Sequence, residues 1–239
     1  MKRFTCAALI ALAVTASVRA DLTIVQKIEG AGALREMTMK IKGAKVRIEP
    51  TPEVTSIYDG KSGEIVNIMK SQKMVMRMSA DQAKAAAAMA GNQPSAQGAK
   101  PGEKVKVTPT GKKEKINGYD TEEYVAETPD YKASYWVAKS YPEVDSIMKQ
   151  LQATNSEALS AGSMGMPDFR DFPGLPLRTN VSMGGQNYST TIVAVKLDPL
   201  PDTEFAVPEG YTEMKMPSMD ALMGGKPDAP AATAAPKKK

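Results

Sequence analysis

Apolar and polar side chains alternate with a period of two along most of the chain, which is typical of half-buried antiparallel strands. The alternation runs from Leu22 to Met78, resumes from Lys104 to Ala138, and ends in two long segments, 175–183 and 188–197. Gly184-Gly185 separates these last two segments, so we expect them to form a hairpin. The pattern predicts a meandering antiparallel sheet of about ten strands.

Two segments with helical patterns interrupt the strands. Residues 79–90 are rich in alanine, and Ser79 with Gln82 is typical of a capping box. A second helix is predicted to run to about residue 159 behind a cap formed by Ser140, Pro142 and Glu143. A sheet of this size must curl and bury one face, and two helices are its simplest cover. The predicted fold class is therefore mainly β with inserted helices (α+β).

The first 20 residues have the three parts of a secretory signal peptide. Lys2 and Arg3 precede an apolar run over 6–14, which is too short to cross a bilayer because a spanning helix needs about 20 apolar residues. The small residues before Asp21 predict cleavage near Ala20 and a periplasmic or secreted mature protein. No later stretch is apolar enough to span a membrane.

The mature chain is predicted to hold one domain over residues 21–217. The composition changes near residue 218, and Ala, Pro and Lys dominate from there to residue 239. Such a segment cannot bury enough apolar surface to fold, so we expect 218–239 to be a disordered tail.

The composition argues against several chemistries. The chain has no histidine, and its single cysteine, Cys6, lies in the predicted signal peptide. The common zinc ligands and the partners of a nucleophilic serine or cysteine are therefore missing. Asp168 and Asp171 lie among prolines and glycines, where a solvated loop beside Arg170 is the better interpretation. We predict a protein that is not an enzyme and has no cofactor.

The charge of the mature chain is nearly balanced. The predicted signal peptide holds three of the 31 basic residues and none of the 27 acidic ones, and residues 237–239 hold three more lysines. A nucleic-acid-binding surface needs a basic excess that the folded part does not have. No nucleic acid partner is expected.

Several ordered strings of the sequence resemble an uncharacterised bacterial envelope family with a LolA-like fold. The resemblance covers roughly residues 21 to 217 and rests on the strings 59–60, 65–78, 115–124, 135–138, 141–142, 198–201 and 205–211. The resemblance implies a curled antiparallel sheet, or half-open barrel, that is covered by two helices and exported to the periplasm. It also implies an apolar cavity, because the better-known relatives carry lipoproteins or sense the state of the envelope. No ligand-contacting residue can be transferred from them.

Methionine is frequent in the chain, with 16 residues, and several methionines alternate with polar residues so that a strand would place them on one face. Methionine is flexible and polarisable and lines adaptable apolar surfaces. The hypothesis is an apolar concavity that holds lipid or a lipidated protein. Its candidate residues are Met37, Met39, Met74, Met76, Met78 and Trp136.

Three other interpretations remain open. The strand methionines and Trp136 are also consistent with ordinary core packing under the helices. Thioether sulfur selects Cu(I), so a copper site is a second hypothesis. Its candidate ligands are Met214, Met216, Met219 and Met223. The third is a structural envelope protein that binds partners through a sheet edge and has no small ligand.

Overall fold

The computed structural model describes residues 20–30, 33–91, 106–128, 131–154, 169–183 and 186–214. The strands in these ranges are β1 (Leu22–Gly30), β2 (Ala33–Lys42), β3 (Lys45–Thr51), β4 (Val54–Asp59), β5 (Ile65–Met69), β6 (Met74–Met78), β7 (Val107–Ile116), β8 (Tyr119–Thr128), β9 (Tyr131–Ala138), β10 (Leu175–Met183), β11 (Gln186–Lys196) and β12 (Thr212–Met214). The helices are α1 (Ala80–Gly91) and α2 (Val144–Ala153), with short 3-10 helices at Phe169–Asp171 and Asp202–Phe205.

All twelve of these strands belong to one open sheet, in the order β12-β6-β5-β4-β3-β2-β1-β11-β10-β9-β8-β7. Strands β1 to β6 form a first antiparallel meander, and β7 to β11 form a second. The antiparallel pair β1–β11 joins the two meanders. Strand β12 is added to β6 in parallel.

Contacts between distant strands require the second meander to curl. Arg178 on β10 donates from Nη1 to Oε1 of Glu114 on β7 at 2.9 Å, although β8 and β9 lie between these strands. In a flat sheet the two strands would be about 14 Å apart. Asn117, between β7 and β8, likewise donates to the carbonyl oxygen of Ile192 on β11 at 2.6 Å. The predicted fold class, a mainly β protein with one large curled sheet and inserted helices, is confirmed.

The larger hydrophobic core lies between α2 and one face of the sheet, which we call the helix face. Ile147, Met148 and Leu151 of α2 are buried there. Buried residues of the two meanders complete the cluster, among them Leu22, Ile24, Ile41, Val46, Tyr58, Tyr124, Ala126, Tyr135, Val137, Leu175 and Leu177. Among the described side chains of α1, Ala83 is buried, but none belongs to this cluster.

A second core lies on the opposite side of β4, β5 and β6, which we call the outer face. Its buried strand residues are Ile57, Val66, Ile68 and Val75. The segment 198–211 covers them and inserts Phe205, and Leu200, Val207 and Tyr211 pack around the cluster. The C-terminal part of the domain is therefore a fixed cover for this patch of sheet.

Ion pairs hold this cover in place at its polar edge. Lys40 contacts Glu204 at 3.0 Å, and Lys42 contacts Asp202 at 2.8 Å. The carboxylate of Asp21, at the start of the fold, accepts a hydrogen bond from the backbone N–H of Leu200 at 2.8 Å. The first and last parts of the domain are thus in direct contact.

The structure bears out several local predictions. Ser79 and Gln82 form the capping box, with the Ser79 N–H donating to Oε1 of Gln82 at 2.9 Å and the Gln82 N–H donating to Oγ of Ser79 at 3.3 Å. The last hairpin is also confirmed, because Met183 pairs with Gln186. Within the described residues no helix is long and apolar enough to span a membrane.

Other local predictions were wrong. The predicted cap of the second helix is absent, because Glu143 occupies the N-cap position in a left-handed conformation and makes no side-chain cap hydrogen bond. Strands β4 and β12 were not predicted. The strand predicted to end at Thr108 and the one predicted to begin at Lys113 belong to a single bulged strand, β7, over Val107–Ile116. The predicted signal peptide, the tail over 218–239 and the extension of α2 towards residue 159 lie outside the described residues.

Candidate functional site

Strand pairing places all five predicted strand methionines on the helix face. One row of directly paired residues crosses six strands: Ile24, Met39, Ile48, Ser56, Asn67 and Met76. Directly paired residues share a face, and Ile24 belongs to the helix-side core. Met74 and Met78 lie two residues from Met76 on the same strand and therefore point to the same side, as does Met37, two residues from Met39. We call Met37, Met39, Met74, Met76 and Met78 the methionine face.

Burial declines along the helix face towards β6. A neighbouring row runs through Leu22, Ile41, Val46, Tyr58, Ile65 and Met78. The first four are buried, whereas Ile65 and Met78 are half-buried. All five members of the methionine face are also half-buried, and only Met39 packs against the main core. The methionine face thus continues the apolar core beyond its fully buried part.

Two further methionines extend this surface and were not part of the predicted apolar set. Met69 on β5 pairs with Met74, and Met214 on β12 pairs with Met76. The sequence predicts Met214 only as a candidate ligand of the alternative copper site. Met216, Met219 and Met223 lie outside the described residues.

Trp136 is not brought together with the methionines. It pairs with Glu123 on β8 and with Arg178 on β10. Arg178 continues this row through Thr191 and Lys27 to Glu36, the residue before Met37. Adjacent strand residues point to opposite faces, so Trp136 projects from the side of the sheet opposite the methionine face. Its ring is half-buried and packs against the main core.

A polar groove of about 810 Å³ occupies the side of the second meander that faces away from α2. Thr108, Thr110, Glu123, Ser134, Asn180 and Ser189 are among its lining residues. Glu123 is buried, and its carboxylate accepts a hydrogen bond from Thr110 Oγ1 at 2.9 Å and contacts Lys112 Nζ at 3.2 Å. Asn180 donates from Nδ2 to Oγ of Ser134 at 3.2 Å. Sequence reasoning missed the groove because it depends on the curl of the sheet.

Shifted pKa values on the surface arise from ion pairs. The hydrogen bond from Lys139 to Glu122, at 2.7 Å, lowers the pKa of the Glu122 carboxyl and raises the pKa of Lys139. Lys42 and Asp202 shift each other's pKa in the same way. Such shifts are the effect of structural contacts between charged groups. Among the described residues, no three of His, Cys, Asp and Glu are grouped so as to hold a metal ion.

Among the described residues, the fold and the methionine face together define a β-sheet protein whose apolar surface is only partly covered. The chain belongs to the family DUF4412, a domain of unknown function, whose model matches residues 21–211. The prediction of an uncharacterised family is confirmed. No match was found among curated protein sequences.

Several solved structures are similar to this chain at low identity. PNGF-II is 14% identical with a TM-score of 0.40, and the match covers 82% of this chain but only 32% of PNGF-II. The Mycobacterium tuberculosis lipoprotein LppX is 11% identical with a TM-score of 0.36, covering 75% of this chain and 88% of LppX. The Pseudomonas aeruginosa MucA/MucB complex gives 10% identity and a TM-score of 0.35, covering 79% and 56%. With TM-scores below 0.5, these similarities carry no argument about ligand or activity.

Proposed function

We propose that this protein is an exported, non-enzymatic protein of the bacterial envelope that binds lipid, or the acyl chains of a lipidated protein, on its methionine face. One observation carries the proposal. The apolar surface of the helix-side core continues onto β6 as half-buried methionines, although a segment of the same chain covers the other side of that strand.

The chemistry of this surface suits flexible hydrocarbon chains. Methionine side chains are unbranched and adapt their shape to irregular partners. Each acyl methylene that leaves water for an apolar surface contributes about 0.8 kcal/mol. Ser56 and Asn67, which interrupt the row of apolar residues, hydrogen-bond to each other at 2.7 Å, so their polar groups are partly satisfied without a polar ligand.

Two observations support an exported mature chain that begins near Asp21. The family match starts at residue 21, and β1 starts at Leu22. Asp21 itself is buried and hydrogen-bonded to Leu200, so the folded domain uses the chain from that residue onward. Residues 1–20 are not needed for these contacts, as expected for a segment that is removed.

Native mass spectrometry of the protein purified from the periplasm without detergent tests the proposal. We expect the mass of a chain that starts near Asp21, together with a reproducible additional mass in the phospholipid range. Met76→Asp should abolish the additional mass, because a carboxylate in an apolar site must be desolvated. Met76→Leu is the matched control, and it should retain the lipid because it keeps the apolar surface.

The opposite outcome is equally clear. A mature protein with no bound lipid, which takes up none when incubated with phospholipid vesicles, would overturn the lipid-binding proposal. Loss of lipid in both the Asp and the Leu variants would also contradict it, since apolar contact would then not be the cause. Circular dichroism of each variant establishes that the fold is retained.

A further inference from the structure

Three methionines lie at neighbouring positions at the edge of the sheet where β12 joins β6. Met76 and Met214 are direct partners in the parallel ladder, and Met74 lies two residues before Met76. Neighbouring strands lie about 4.8 Å apart, and residues two apart along one strand are separated by about 6.6 Å. Because a methionine side chain has three rotatable bonds, all three sulfur atoms can reach a common point.

The opposite side of the same strand pair demonstrates this reach. Arg77 on β6 and Glu213 on β12 are diagonal neighbours there, since Glu213 pairs with Val75. Their side chains nevertheless meet, with Arg77 Nε and Glu213 Oε2 3.5 Å apart. On the helix face, Met78 stands in the same relation to Met214, and Met74 is the diagonal neighbour of Met214 on the other side of Met76.

The three methionines are accessible from solvent. Met214 is 41% exposed, and Met74 and Met76 are half-buried. None of the three belongs to either hydrophobic core cluster or packs against one. A small cation can therefore approach the sulfur atoms without disrupting the packed interior.

The donor set selects one class of metal ion. Thioethers are uncharged, soft ligands that favour Cu(I), whereas Ca²⁺ and Mg²⁺ require oxygen ligands. The oxygen of the neighbouring Asn67 accepts a hydrogen bond from Ser56 and is already engaged. The chain has no histidine, and Cys6 is its only cysteine, so no stronger soft ligand is available in residues 21–239.

We propose that Met74, Met76 and Met214 form a three-thioether Cu(I) site at the β6–β12 edge. This inference goes beyond lipid binding and does not depend on it. It joins Met76 to Met214, which lies 138 residues later in the chain.

An anaerobic titration of the mature full-length protein with Cu(I), in competition with a chromophoric chelator, tests the site. We expect one Cu(I) to bind per chain. Met76→Leu and Met214→Leu should each weaken Cu(I) binding by more than roughly tenfold. A loss of roughly tenfold is what results from changing a residue that only supports a metal ligand. Met37→Leu is the matched control, because it lies on the same face but on β2, and it should leave Cu(I) affinity unchanged.

Methyl NMR with Ag(I), a redox-inert substitute for Cu(I), locates the bound ion independently. In protein labelled at the methionine methyl groups, Ag(I) should shift the resonances of Met74, Met76 and Met214. Shifts confined to other methionines, or Cu(I) affinity that survives both Met76→Leu and Met214→Leu, would overturn the proposal. So would a failure to compete with the chelator at all.

The Met76→Leu variant separates this proposal from the previous one. Leucine retains the apolar surface but removes the thioether, so lipid binding should persist while Cu(I) binding weakens. Loss of the metal with retention of lipid supports the copper site, and the reverse result contradicts it.

Discussion

The two faces of β4, β5 and β6 are both apolar, but they are built from different side chains and are covered to different extents. The outer face presents Ile57, Val66, Ile68 and Val75, which are buried under the segment that carries Phe205. The helix face presents Met69 on β5 and Met74, Met76 and Met78 on β6, and these methionines remain half-buried. The residues of these strands that point to the outer face are therefore packed under a fixed segment of the chain. Among the described residues, no segment packs equally closely against the residues that point to the helix face.

The difference in side-chain type matches the difference in cover. Isoleucine and valine are branched at Cβ and have few rotamers, so they pack well against a partner of fixed shape. Methionine has more conformational freedom and fills spaces whose shape changes. A face made of methionine is therefore suited to a partner that binds reversibly, whereas a face made of valine and isoleucine is suited to a permanent cover.

Replacing the anchor of the permanent cover should have the largest effect. Phe205→Ala removes a buried aromatic ring from the outer core, and such truncations cost about 3–5 kcal/mol of unfolding free energy. Urea unfolding measures this loss. Leu34→Ala, at a residue that is 65% exposed, is the control and should change stability by no more than about 0.5 kcal/mol. A loss for Phe205→Ala as small as the control would show that the segment is not an anchored cover.

A direct comparison of the two faces should give an intermediate effect. Ile68→Ala on the buried outer face should cost about 2–5 kcal/mol, whereas Met76→Ala on the half-buried helix face should cost less, because less apolar area leaves the protein interior. Chemical denaturation of both variants provides the two values. Equal losses would mean that Met76 is as firmly packed as Ile68, and the methionine face would then be ordinary core.

Acidification should weaken the outer face through Glu49 and produce the smallest effect. Burial disfavours the charged carboxylate of Glu49, but Arg47, at 2.6 Å, and Lys70 outweigh it and hold the pKa of Glu49 below its usual 4.5. A carboxyl whose pKa is lowered by folding contributes stability above its unfolded pKa, and this contribution is lost as the pH falls through its folded pKa.

The measurement is the urea midpoint between about pH 3 and pH 6, recorded for the wild type and for Glu49→Gln. The wild type should lose more stability than the variant as the pH falls below 4.5. Parallel curves would show that Glu49 does not contribute, and that acid destabilisation comes from other carboxyl groups.

Much of the fold could be predicted from the sequence because strand alternation and turn residues are local signals. The two last strands, the capping box at Ser79 and the helix after Glu143 all follow from neighbouring residues. The face of Val75 could not be predicted in the same way. Its flanking residues, Lys73 and Arg77, suggest a solvent-facing side, yet Val75 is only 2% exposed because a segment about 130 residues later in the chain covers it.

The candidate site could likewise be predicted only where it depends on local sequence patterns. Alternation alone places Met74, Met76 and Met78 on one face, and pairing through β2 to β6 adds Met37 and Met39. The juxtaposition of Met76 with Met214 depends on a three-residue parallel strand, for which the sequence has no local signal. The polar groove and the separation of Trp136 from the methionines likewise arise from the curl and from the register of strands far apart in sequence.

The joint between the two meanders has a consequence for how the chain folds. Within each meander, every strand pairs with its neighbour in sequence, and apart from the connection between β9 and β10, which contains α2, and that between β6 and β7, these contacts close short loops. The pairing of Gln26 with Ile192 instead closes a loop that contains most of the chain. Each doubling of loop length costs only about 0.6 kcal/mol of stability, whereas distant contacts lower the folding rate steeply. The pairing of β1 with β11 is therefore expected to cost little stability but to slow folding. The complete sheet can close only after almost the whole domain has been synthesised.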